Sequence, residues 1–175
     1  MSTVTVFGAG AWGSTMAQVL SDAGNDVLLW GRSKDVIAEI NSAHTNKKYL
    51  GSHELPLSLQ ATTDLAQAFA HSHIYVLAIP AQQLRLTLEE WKPFFSTDSI
   101  IVSTLKGIEI STQMRMTEVI QDVLGPRPIA IITGPNLADE LVLRQPAGAV
   151  AAAATQELAD RMRDLFRTPY YRVYT

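Results

Sequence analysis

Near its start the chain runs from a stretch of strand-forming residues, Thr3–Phe7, into "GAGAWG", where Gly8, Gly10 and Gly13 precede a stretch of helical period. A strand that ends on a tight turn and feeds a helix returns to its own sheet by a right-handed crossover, so the next strand runs parallel to it. Gly8 permits the turn out of the strand. The bare Gly10 lets a diphosphate approach the backbone, and Gly13 lets the helix lie close on the strand. N–H groups left free at the helix start then face the anion, and the helix dipole favours its charge. The pattern predicts a dinucleotide-binding turn, with a helix over 14–23 that buries Met16, Val19 and Leu20 and stops at Gly24 and Asn25.

The rest of the chain repeats the alternation. Apolar runs at 26–30, 74–79, 99–104, 129–133 and 147–154 read as strands, and "YYRVYT" closes the chain as another. Helical periods fall at 35–41, 64–70, 82–91, 113–124, 137–143 and 157–166, with Thr155 as a candidate N-cap. Residues 41–59 read as polar and irregular. Continuous apolar strands suit burial on both faces. The expected architecture is α/β: a doubly wound, mostly parallel, Rossmann-type sheet with helices on both faces. Residues 1–175 form one dinucleotide-binding domain in this reading.

Composition removes several alternatives. A net charge of −3 gives no electrostatic case for binding nucleic acid or an anionic membrane, and without cysteine there is no disulfide framework or thiolate metal site. No apolar run is long enough to span a bilayer, and Met1 stands directly before the first strand. These features lead to the expectation of a soluble, cytoplasmic protein without stable membrane insertion. His71 and His73 form an H-x-H pair, read as a helix end entering a strand, so no metal site is expected. Trp30 and Trp91 are expected in the core or at an interface.

The second strand bears on the choice of dinucleotide. An NAD site usually ends this strand with Asp or Glu, to hold the ribose hydroxyls. Here Arg32 follows, with Lys34 behind it, while Asp35 comes late for that role. A guanidinium pairs with a 2′-phosphate and stacks on adenine, which favours NADP(H) and leaves NAD(H) as the alternative. Ligands of open parallel sheets bind beyond the carboxyl ends of the strands. Lys106 with Gly107, and Gly134-Pro135-Asn136, follow two such ends. They suit a small phosphorylated or carboxylated substrate beside a nicotinamide ring. Asp139 and Glu140 fall in the first turns of the next helix, where carboxylates favour the dipole.

"VTVFGAGAWGS", "VLLWGR", "NKKYL", "STLKGIE", "TGPNLADEL" and "YRVYT" occur in order. Together they resemble the N-terminal half of bacterial-type NAD(P)-dependent glycerol-3-phosphate dehydrogenases, over the whole chain. The resemblance implies reversible hydride transfer between NAD(P)H and dihydroxyacetone phosphate, giving sn-glycerol 3-phosphate for glycerophospholipid synthesis. It implies cofactor contacts from Ala11, Trp12, Arg32 and Ala138, substrate contacts from Gly134 and Asn136, and a role for Lys106 toward both. This sequence departs from the family pattern at Ala11 (usually Ser or Thr), at Asn136 (usually Ser or Thr) and at Gly51 (usually Pro).

The family also has a helical C-terminal domain, with a second lysine as proton acceptor and most of the phosphate contacts. That domain falls outside these residues. The expectation is a chain that binds cofactor, turns over poorly by itself, and bares apolar surface near Gly134 and the C-terminus. A homodimer or the helical domain would cover that surface. Two other readings are a reductase of small hydroxy or keto acids and a non-catalytic NADP sensor.

Overall fold

The computed structural model describes every residue, Met1–Thr175. Its first crossover is the one the glycines require: β1 (Thr3–Phe7), α1 (Ala11–Asp22), then β2 (Asp26–Trp30) parallel to β1. Next come α2 (Lys34–Ala43), the single turn α3 (Lys47–Leu50), β3 (Gln60–Thr62), α4 (Leu65–His71) and β4 (Ile74–Leu77). α5 (Leu84–Trp91), β5 (Ile100–Ser103), α6 (Met116–Leu124), β6 (Ile129–Thr133) and α7 (Ala138–Val142) follow. The chain ends with β7 (Ala147–Ala153), α8 (Gln156–Phe166) and β8 (Tyr171–Tyr174). One eight-stranded sheet results, in the order β3-β2-β1-β4-β5-β6-β7-β8. Every neighbouring pair is parallel except β6 with β7. α7 packs on α1 instead of crossing the sheet, so the chain re-enters where β6 ended and β7 runs back alongside it.

Helices cover both faces from β1 to β5, which explains the continuous apolar strands. On one face α1, α2 and α8 bury Val6, Met16, Leu20, Leu29 and Phe166. On the other, α4, α5 and α6 enclose an aromatic core in which the Phe7 ring lies 4.8 Å from both Phe69 and Trp91. Trp30 and Trp91 belong to this core, one of the two placements expected from the sequence.

Coverage on both faces does not extend to β7 and β8. These strands alternate: Ala149, Ala151, Tyr171 and Val173 are buried, whereas Val150 and Tyr174 are exposed. Leu137 and Leu143 are exposed nearby in sequence, so apolar side chains do reach solvent in the region where the sequence leads one to expect them.

Other differences are local. α1 starts at Ala11 because Gly10, at φ −79° and ψ −174°, acts as its N-cap. α6 starts at Met116, since Gln113 sits at φ +61°, outside the helical region. β3 is too short to show a period, and 41–59 is less irregular than its composition implies, because it contains α3. Thr155 caps α8 as expected, accepting from the Leu158 N–H at 3.3 Å.

Candidate functional site at the carboxyl edge of the sheet

The glycine turn is fixed by close backbone contact. Gly8 has φ +120°, and a Cβ there would stand 2.4 Å from the Ala78 carbonyl oxygen. A Cβ on Gly13 would stand 1.7 Å from the Gly8 carbonyl oxygen. Gly10 differs: a Cβ on it would meet nothing within 4 Å. The first bond of the α1 ladder runs from Ser14 N–H to Gly10 O at 3.0 Å, so the amides of Ala11, Trp12 and Gly13 lie ahead of it. Side-chain-free space therefore opens where helix-start amides are unpaired, which is the geometry an anion needs.

A cleft of about 1080 Å³ extends from this turn along the carboxyl ends of the parallel strands. Gly8, Gly10, Ala11, Trp12, Arg32, Lys106, Asn136 and Ala138 all border it. Arg32 is exposed, just beyond β2, where Ser33 caps α2 by accepting from the Val36 N–H. Asp35 sits in the first turn of α2 and is not on the cleft wall. Lys106 is also exposed, and its Nζ lies 5.8 Å from the centroid of the Trp12 ring, joining the loop after β5 to the glycine turn. The Trp12 Nε1–H is buried and has no acceptor in the protein.

Asn136 is buried, and its Nδ2 donates to the Tyr171 hydroxyl at 3.4 Å. Burial pushes that hydroxyl up to about 12, so it stays protonated at neutral pH. Gly134 does not border the cleft. It packs on β7, where a Cβ would stand 2.6 Å from Gly148 O and 2.7 Å from Asn136 Nδ2. A second cavity, of about 850 Å³, lies along β8 against Arg163, Arg167 and Arg172. It has none of the glycine-turn residues, and Arg163 is already paired with Asp160 and Asp164.

Residues 3–159 match the family model described as NAD-dependent glycerol-3-phosphate dehydrogenase N-terminus. The chain belongs to this family. It is 47% identical over 172 residues to a glycerol-3-phosphate dehydrogenase [NAD(P)+] of Streptomyces avermitilis, covering 97% of this chain and 51% of that protein. A Corynebacterium diphtheriae protein of the same name is 45% identical over 98% of this chain and 53% of its own length. The chain thus spans about half the length of the curated relatives it matches. The crystal structure of glycerol-3-phosphate dehydrogenase from Coxiella burnetii superposes with a TM-score of 0.91 at 26% identity, over 99% of this chain and 53% of that one. A pyrroline-5-carboxylate reductase of the same organism, at TM-score 0.72 and 17% identity, shares the fold alone.

Within this family frame, several supports of the cleft escaped the sequence reading. Gly31 is one: a Cβ there would stand 2.5 Å from the Ala9 Cβ, so β2 and the glycine turn touch only because it is bare. The loop carrying Lys106 is clamped from α5. Gln82, just before that helix, donates to Ile108 O at 2.8 Å and accepts from Ile110 N–H at 3.0 Å. Arg85 makes a two-pronged pair with Glu109 at 3.0 Å and also reaches Asp122 at 2.6 Å. The Arg85 guanidinium, and next the Thr112 hydroxyl, hold the Glu109 carboxyl below the usual carboxylate range. Only Glu109 carried a sequence signal, as the acid of "LKGIE"; Thr112 is three positions from it, but Arg85 is 24 positions away.

Proposed function

We propose that these 175 residues are the coenzyme-binding part of an NAD(P)-dependent glycerol-3-phosphate dehydrogenase, which interconverts dihydroxyacetone phosphate and sn-glycerol 3-phosphate in glycerophospholipid synthesis. One observation carries the reading: a single cleft is bordered by the bare Gly10, the unpaired start of α1, Arg32 and Lys106. The free space over Gly10 and the unpartnered Trp12 Nε1–H fit a dinucleotide whose diphosphate rests on the turn. Bound there, the reduced nicotinamide supplies the hydride for the ketone carbon. Arg32 would pair with the 2′-phosphate of the adenosine ribose, making NADP(H) the favoured coenzyme over NAD(H). Lys106 would offer its ammonium to the oxygen that gains charge as the ketone is reduced. Asn136, which also borders the cleft, would present its amide to the substrate, and Ala138, with no bulk beyond Cβ, would leave room for the nicotinamide. The proton acceptor that the resemblance implies lies outside these residues, so the chain by itself binds coenzyme and turns over poorly.

The remaining assignments rest on the same reading. Partners are a small phosphorylated metabolite and either a second copy or a helical domain laid over the bare β7–β8 face. The compartment is the cytoplasm; no helix is long and apolar enough to cross a membrane.

Titration of the chain with NADPH and NADH, alongside Arg32→Ala, tests the proposal. We expect NADPH to bind more tightly, and the substitution to cost NADPH about tenfold, or ~1.4 kcal/mol, with little effect on NADH. Equal affinities unmoved by the substitution would remove the role of Arg32, and no binding of either coenzyme would overturn the function.

A further inference from the structure

The segment between α2 and β3 contains a side chain that none of the site assignments uses. Asn46 stands just before α3 and is fully buried. Its Nδ2 donates to Ala9 O at 3.1 Å and to Ser14 Oγ at 2.9 Å. Those acceptors flank Gly10: one is the carbonyl of the residue before it, the other is in the first turn of α1. A side chain 32 and 37 positions away thus bridges the two ends of the glycine turn. Its own Oδ1 is buried without a partner, a cost a purely structural contact would be expected to shed.

The neighbours of Asn46 are held in turn. Glu39 of α2 accepts from the Thr45 hydroxyl at 2.7 Å and from the Lys47 N–H at 2.9 Å, gripping the residue on either side of Asn46. His44 turns the chain at φ +50°, and Leu55 N–H donates to His44 O at 2.7 Å to close the segment. The chain is thereby delivered to the glycine turn with its amide in one orientation. A turn whose middle residue is bare gains nothing from side-chain packing at that point, so its shape must come from the atoms beside it.

We infer that Asn46 is the positioning residue of the glycine turn, acting through Ala9 O and Ser14 Oγ to hold the α1 amides in line for a diphosphate. The inference rests on the coenzyme reading above. Asn46 touches no ligand itself, so its effect falls on ligands that carry a diphosphate and spares those that do not.

The test is calorimetric titration of the unsubstituted chain, Asn46→Ala and Ser14→Ala with NADPH, with 2′-phospho-ADP-ribose and with adenosine 2′-phosphate, with melting temperatures recorded for each. We expect Asn46→Ala to weaken NADPH and 2′-phospho-ADP-ribose together by about tenfold. Adenosine 2′-phosphate, which lacks the diphosphate, should change less than about twofold. Ser14→Ala removes one of the two acceptors and should show the same pattern more weakly, which also decides the matter if Asn46→Ala does not fold. Equal weakening of all three ligands, or no change in any, overturns the inference while the coenzyme reading stands. Failure of the unsubstituted chain to bind NADPH overturns both.

Discussion

At one end of the cleft, backbone meets backbone at Gly8 against Ala78 and Gly13 against Gly8, and bare Gly31 makes room for the Ala9 methyl group. At the other, exposed Lys106 stands on a loop tied down by Gln82, Arg85 and Glu109. The first end owes its shape to atoms that are missing. The second owes it to charged and amide groups that must be present and in register. Steric constraint of the first kind cannot be relaxed without moving β1 or α1, so damage there reaches the fold. Polar clamps of the second kind can open one at a time, so damage there stays local.

The strongest way to break that contrast is to put a methyl group on each of two neighbouring glycines. Gly13→Ala would bring a carbon to 1.7 Å from the Gly8 carbonyl oxygen, a backbone atom with nowhere to go. We expect a loss of about 3 kcal/mol or more, or no folded protein. Gly10→Ala adds the same carbon at an allowed backbone conformation and into open space. Its stability should fall by no more than about 1 kcal/mol, the cost of Ala in place of Gly at the N-cap of α1. Coenzyme affinity should nevertheless drop by about tenfold or more, because the methyl group occupies the approach to the turn. Chemical denaturation read beside NADPH titration separates the two effects. If both variants lost stability equally, the distinction between a packing glycine and a ligand glycine would be void.

A smaller effect is expected at the Lys106 end. Glu109→Gln keeps the shape of the side chain but withdraws the charge that pairs with Arg85. The loop after β5 should loosen while the sheet holds, so trypsin should cut after Lys106 several-fold faster with little change in melting temperature. A large fall in melting temperature without faster cleavage would show this clamp to be part of the global fold, as the glycines are.

The same contrast explains what could be read from the sequence. β1, the glycine turn and the start of α1 are contiguous, and each glycine acts on atoms a few positions away or on an adjacent strand, so spacing alone foretells them. Arg32 and Lys106 were legible because a parallel sheet puts the residues after its strands at one edge. Asn46, Gln82 and Arg85 were not. Each works through a partner 24 to 37 positions distant, and no local period announces such pairs. The reversal at β7 was hidden for a related reason: whether α7 crosses the sheet or packs on α1 is decided by a tertiary contact, with Gln18 donating to Val142 O at 3.2 Å. Alanine-rich β7 carries too little side-chain contrast to show which of its faces is bare.

The finest test of the comparison is acid. Glu109 is held below its ordinary value of 4.5, first by Arg85 and then by Thr112. A carboxyl whose pKa is depressed in the folded protein contributes stability that is complete above its unfolded value and is lost as pH falls through the folded one. The clamp on the Lys106 loop should therefore be intact above pH 4.5 and give way only below it. Glu118, lowered to about 2 by Arg115, should release later still. The glycine end contains no titrating contact of this kind, so its order should persist until the whole sheet melts. Amide exchange at Ile110, whose N–H donates to Gln82, reports the loop, and exchange at Ser14 reports the turn. As pH falls from 7 the intrinsic exchange rate slows, so protection factors and not raw rates are compared. Loss of protection at Ile110 before Ser14, absent in Glu109→Gln, is the expected pattern. Simultaneous loss at both amides would mean that the two ends of the cleft are coupled more tightly than their chemistry implies.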